Sequence, residues 1–144
     1  MDNDTRAELA ALYQRQAKTL DAERAEARDK RHANGYRTAR ENLADLVDAD
    51  SFVEYGQLAV AAQRSRRDYE DLQRSTAADG IITGLASINR EWVGHSAAQS
   101  VVIVNDYSVL AGTQGFFHHK KLDRACELAE RLKLPVVMYT EGGG

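Results

Sequence analysis

An α/β fold is the class this sequence predicts, and three features carry the prediction. Residues 101–104 read "VVIV", an unbroken β-branched run of the kind a strand covered on both faces shows. Residues 136–139 read "VVMY", a second such run, again expected to be buried. Between them, residues 117–133 carry Leu122, Ala125, Cys126, Ala129 and Leu132 at spacings of three and four, the period of an amphipathic helix. Pro135 follows that helix. Strand, helix and strand in about 40 residues make one βαβ crossover, right-handed by the general rule.

The elements before it follow in order. Leu9, Tyr13, Ala17 and Leu20 recur at helical spacing, Arg24 interrupts the stripe and Ala27 resumes it, which predicts one helix over residues 5–33. Its apolar stripe is thin, so the helix is expected to lie across a neighbour. Asn34-Gly35 ends it. Thr38 with Glu41 three positions on has the form of a capping box, predicting a helix from Ala39 to Leu46. Residues 51–56, "SFVEYG", read as a short strand with Phe52 and Val53 its most buryable pair. The segment 57–78 is helical or mobile, and "QRSRRDYEDLQRST" is too polar for a core. Asp79-Gly80 is a turn that opens a strand within 78–90. "EWVGHSAAQS" then reads as a loop or a wide hairpin turn.

Composition narrows the function. The chain has 144 residues, 43% of them hydrophobic and 28% charged, so it is a globular composition of about one domain. A net charge of −3, with bases and acids interspersed, gives no reason to expect nucleic acid. One cysteine, Cys126, excludes an internal disulfide and is expected in the core. No stretch reaches the roughly 20 apolar residues of a membrane span, and no signal-peptide core precedes the first helix. A cytoplasmic protein without a membrane partner is expected.

Residues 110–121, "LAGTQGFFHHKK", are the first candidate site. Gly112 and Gly115 between a strand and a helix are either a tight turn or an anion or carbonyl site built on outward N–H groups. Neither the P-loop nor the dinucleotide fingerprint matches. His118 and His119 are adjacent, about 100° apart on a helix, and so cannot chelate one ion; no metal is expected. Lys120 and Lys121 lie where the helix dipole disfavours cations, so they are either a solvated face or phosphate contacts. Phe116 or Phe117 is expected to anchor the helix to the sheet. The second candidate is Glu141 with Gly142, Gly143 and Gly144 after the last strand. It is either a loop or an oxyanion hole, where glycine permits close approach of a carbonyl oxygen to two backbone N–H groups.

Four blocks taken together resemble the biotin-dependent acyl-CoA carboxyltransferases. They are "RTARENLADLVDADSFVEYG" (37–56), "TAADGIITGLASIN" (76–89), "NDYSVLAGTQG" (105–115) and "LAERLKLPVVMYTEGGG" (128–144). Their order and spacing match across residues 36–144, and the wording "AGTQG…EGGG" looks closest to the carboxyltransferase region of multidomain fusions with biotin carboxylase.

The resemblance implies a crotonase-like fold of ββα units, here a partial N domain over 36–144 after an N-terminal helical extension over 1–35. It implies an acyl-CoA substrate and the transfer of carboxyl from carboxybiotin, held on a separate carrier, to the acyl α-carbon. By this resemblance, Gly143 and Gly144 would supply the oxyanion-hole N–H groups, with Glu141 at the acid position. Gly112 would line the CoA-side cleft, and Ala111 stands where many relatives have glycine. The remaining carboxyltransferase domains would be partners, in a homo-oligomer. Since the biotin side is absent, the chain is expected to be a truncated portion, incompetent alone; the alternatives are an assembly module or a CoA-binding module.

Overall fold

A computed structural model describes residues 6–142. In place of one long helix there are two, α1 (Ala7–Ala17) and α2 (Ala25–Ala33). Tertiary bonds break the run between them. Thr19 is buried, with its hydroxyl donating to the Gln16 carbonyl at 2.7 Å and accepting from Gln57 at 2.8 Å. Arg24 turns inward onto Asp106 at 2.8 Å and Ser108 at 2.9 Å. Leu9, Tyr13 and Leu20 of the expected stripe stay exposed.

Helix α3 (Ala39–Leu46) begins at the predicted capping box: the Thr38 hydroxyl accepts the Glu41 N–H at 3.0 Å and the Glu41 carboxylate accepts the Thr38 N–H at 3.1 Å. Strand β1 (Val53–Tyr55) follows. Val53 is exposed and only Phe52 packs on the core, because adjacent strand residues point to opposite faces. Helix α4 (Tyr69–Ser75) lies in the stretch judged too polar for a core, yet Leu72 is fully buried against Val60 and Ala61. Thr76 is buried as well, its hydroxyl donating to the Leu72 carbonyl and accepting the Ala61 N–H at 3.0 Å. One apolar residue per turn is enough when the polar neighbours are satisfied locally.

The Asp-Gly turn is a short 3-10 piece, Ala77–Gly80, that leads into β2 (Ile81–Ser87). The expected loop at residues 91–100 holds two one-turn helices, α5 (Arg90–Val93) and α6 (His95–Ala98), and then β3 (Gln99–Asn105) begins. Helix α7 (Phe116–Leu132) and strand β4 (Val136–Tyr139) complete the predicted strand–helix–strand unit.

The sheet order is β1-β2-β3-β4, antiparallel except for the β3–β4 pair. As expected, residues 101–104 are buried on both faces. One face, with Ile82, Ala86, Val102 and Val104, packs on Ala39 and Leu43 of α3. The other, with Ile81, Val101 and Ile103, packs on Ala125 and Ala129 of α7. Gly84 makes room for this arrangement, since a Cβ there would lie 2.6 Å from the Phe52 ring.

Two burial expectations are corrected. In α7 the inward residues are His118, Lys121, Ala125, Leu128 and Ala129, whereas Cys126 and Leu132 are exposed. The inward face is rotated from the predicted stripe, because Lys121 packs its stem inside. In β4, Val136 and Met138 are exposed and Val137 and Tyr139 half-buried, since among the described residues β4 pairs only with β3.

Candidate functional site

Two distant stretches of the sequence meet at one backbone junction. Val109, Leu110 and Ala111 bring the chain off β3 through a 3-10 turn, Leu110–Gly112, with Leu110 and Ala111 in the left-handed region at φ 49° and 53°. Gly112 continues it at φ +74°, a conformation that favours glycine. A Cβ on Gly112 would collide with the Glu141 carbonyl oxygen and lie 2.7 Å from the Gly142 Cα. The glycine therefore serves close approach of protein backbone, and its own N–H is held by the Val109 carbonyl at 3.0 Å. Ala111 bears left-handed strain that a glycine would avoid.

Glu141 is held from the other side by Arg31 of α2. The guanidinium donates to both carboxylate oxygens, at 2.7 and 2.8 Å, a two-pronged geometry. Arg31 is itself fixed: its Nε donates to the Arg37 carbonyl at 3.0 Å, and its charge lies 4.9 Å from the Tyr36 ring centre and 5.7 Å from that of Tyr107. A cavity of about 850 Å³ opens beside this pair, walled by Lys30, Asn34, Tyr36, Tyr107, Ala111 and Glu141. Gly142 is exposed, and Gly143 and Gly144 lie outside the described residues.

The start of α7 is organised differently from the anion site that its position suggested. Ala78 and Asp79, both left-handed at φ 54° and 48°, carry the buried Asp79 carboxylate beneath the helix. That carboxylate accepts the His118 N–H at 2.9 Å and lies 3.1 Å from where a Cβ on Gly115 would sit. His118 is fully buried, with Nδ1 3.1 Å from the Asp79 carbonyl, and burial holds its pKa below the ordinary histidine value. His119 is exposed. Among the described residues no three His, Cys, Asp or Glu side chains gather as metal ligands.

Lys121 is neither on a solvated face nor open to a ligand. Its Nζ donates to the carbonyls of Ala78, at 2.8 Å, and Ile81, and its stem packs against Gly56. Burial lowers its pKa to about 8. Lys120 is exposed, its Nζ 5.1 Å from the Phe116 ring centre. Phe116 and Phe117 are also exposed and stack edge to face on each other; Ala125 and Ala129 are what join α7 to the sheet. A mainly apolar cavity of about 360 Å³ lies between α7 and β1, with Tyr55, Phe117, Lys120, Arg124 and Leu128 in its wall.

Sequence reasoning missed Arg31 and Asp79. Arg31 lies 110 positions from Glu141, so nothing local connects them. The Asp-Gly turn signal located Asp79 but said nothing of which helix its carboxylate would reach.

Comparison with known proteins identifies the family. The carboxyl transferase domain model matches residues 30–144. The propionyl-CoA carboxylase beta chain of Saccharopolyspora erythraea is 32% identical over 140 residues, covering 97% of this chain and 24% of the relative. The biotin-dependent acetyl-/propionyl-coenzyme A carboxylase beta5 subunit of Mycobacterium tuberculosis is 31% identical, with the same coverage. A single-chain, multi-domain long-chain acyl-CoA carboxylase of solved structure is 57% identical with a TM-score of 0.94, over 97% of this chain and 14% of that one. The chain thus spans about a quarter of the length of the curated relatives it matches.

Biotin is the group these relatives imply. Its ureido oxygen calls for paired backbone donors. The turn at Gly112 does not offer them, since the N–H groups of Gly112 and Thr113 are taken by the Val109 and Leu110 carbonyls at 3.0 and 3.1 Å. The expected resemblance and the partial crotonase-like α/β fold are both confirmed: this chain belongs to the carboxyl transferase domain family, and it is similar to chains of acyl-CoA carboxylases.

Proposed function

We propose that this chain supplies the acyl-CoA side of a carboxyltransferase site, completed by further carboxyltransferase domains. The observation that carries the reading is the junction of Gly112 with Glu141 and Gly142, which brings the two glycine-bearing stretches together beside the cavity of about 850 Å³. In the reaction, carboxybiotin would supply the carboxyl group as its N–carboxyl bond breaks, and the freed ureido nitrogen would take up the proton that the acyl α-carbon gives up, while negative charge gathers on the thioester oxygen. Backbone N–H groups of Gly143 and Gly144 meet that charge. Glu141 lines that cavity, Gly112, Gly115 and Gly142 contribute backbone on the substrate side, and Lys120, in the wall of the smaller cavity between α7 and β1, reaches a phosphate of CoA. Lys121 acts through its stem alone, because its ammonium is committed to two carbonyls.

Carboxybiotin arrives on a separate carrier and is held by the completing domains, in a homo-oligomer and in the cytoplasm. Residues 1–35 make up an N-terminal extension that includes α1 and α2, and residues 36–144 belong to the N domain. Exposed Val136 and Met138 on β4 suit the addition of further domain structure. No helix among the described residues is long and apolar enough to cross a membrane.

The test combines the chain with the missing domains, a biotinylated carrier and acyl-CoAs of increasing length. Carboxylated product is expected from the combination and none from the chain alone. Turnover by the chain alone, or none by the combination, would sink the reading.

A further inference from the structure

Glu141 is gripped twice, and the two grips are independent. Its backbone is pressed on Gly112, and its carboxylate is held by the fork of Arg31. Arg31 lies on α2, outside the strand–helix–strand unit that carries Gly112 and Glu141. Its side chain is 11% exposed and that of Glu141 34%, so the pair is shielded on the arginine side and water competes weakly for the guanidinium. Tyr36 and Tyr107 flank the guanidinium, and the Arg37 carbonyl takes its remaining Nε–H. A guanidinium also held by the Arg37 carbonyl and flanked by two tyrosine rings cannot follow a moving carboxylate. It defines where Glu141 stands, and hence where the backbone leaves toward Gly142.

We infer that Arg31 is a positioning residue for carboxyl transfer: through its two-pronged pair with Glu141 it sets the backbone of Glu141 and Gly142 against Gly112, and so the wall against which the thioester is held. This rests on the function proposed above. A substrate-positioning wall acts through its geometry, and displacement by about 1 Å can cost on the order of a hundredfold in rate. Arg31 therefore governs the chemical step and leaves ground-state affinity for acyl-CoA nearly unchanged. Lysine cannot replace it, since an ammonium cannot form the planar fork.

The experiment uses the carboxyltransferase assembled from this chain, the completing domains and a biotinylated carrier. Arg31→Met, Arg31→Lys, Glu141→Gln and the double variant Arg31→Met/Glu141→Gln are compared with wild type for kcat, KM for acyl-CoA and assembly size. A fall in kcat of about tenfold or more is expected in Arg31→Met, Arg31→Lys and Glu141→Gln, with KM changed less than about threefold. The double variant should be no worse than the poorer single one, because the pair acts as a unit. Unchanged kcat in Arg31→Met overturns the inference. So does a rise in KM at constant kcat, which would make Arg31 a binding group for CoA. If Arg31→Met does not assemble, Glu141→Gln decides by the same criteria. Failure of the wild-type assembly to carboxylate any acyl-CoA sinks the functional reading itself, whereas an active wild type with an equally active Arg31→Met sinks only the role of Arg31.

Discussion

The Asp79 carboxylate accepts the backbone N–H of His118 at 2.9 Å, so the start of α7 is capped from a turn 39 residues earlier in the chain. A helix start has unsatisfied N–H groups, and an exposed one invites a ligand anion. Here the protein's own carboxylate takes the third helical N–H, with the helix dipole favouring its charge. Asp79→Ala loses this bond and places alanine at a φ of +48°, so about 2–3 kcal/mol of destabilisation is expected. Asp79→Asn keeps an acceptor oxygen and tolerates the left-handed backbone, and should cost about 1 kcal/mol. Urea unfolding of both variants measures the difference; equal losses would show that backbone strain and capping contribute nothing separate.

Gly112 is intolerant of any side chain. Substitution to alanine adds left-handed strain at φ +74° and a Cβ against the Glu141 carbonyl and the Gly142 Cα. The 139–142 stretch must then move away, and a loss of about 3 kcal/mol is expected. Ala111→Gly, one residue earlier, relieves strain instead and should be neutral or stabilising within about 1 kcal/mol. Thermal melts of the two variants are expected to shift in clearly different directions or sizes.

Lys121 makes stability depend on alkaline pH. Burial lowers its folded-state pKa from the ordinary 10.5 to about 8. Between those values the unfolded chain holds a proton that the folded chain has released, so the unfolded state binds more protons. Stability therefore rises with pH through the window from 8 to 10.5, by up to about 3 kcal/mol from this group. Below pH 8 both states are protonated and the folded state carries the full cost of burying the ammonium. Denaturant midpoints of wild type and Lys121→Met across that window isolate the effect; parallel curves would show that burial exerts no such pull.

Cys126 faces outward on α7. A thiol of the native chain in solution should take up one equivalent of iodoacetamide, at a rate within about threefold of the urea-unfolded chain, with helix content retained. Mass spectrometry of the native and unfolded reactions checks this. Labelling that appears only on unfolding would return Cys126 to the core.

Periodicity and end signals along the chain were sufficient for the α/β class, the strand at residues 101–104, helix α7 to within one residue at each end, and the Thr38–Glu41 capping box. These features depend on side chains a few positions apart, whose geometry follows from the element itself. The four ordered blocks likewise carried the family. The break between α1 and α2, the inward face of α7 and the exposure of β4 and Cys126 were decided only in three dimensions. Each depends on a partner far along the chain: Gln57 and Asp106 for the break, Ala78 and Ile81 for Lys121, and β3 alone for β4. The same holds at the candidate site. Gly112 and Glu141 were legible as residues of interest because glycine and acid stand out locally. That they touch, and that Arg31 from the N-terminal helices holds one of them, follows from close packing between segments whose separation in sequence leaves no periodic trace.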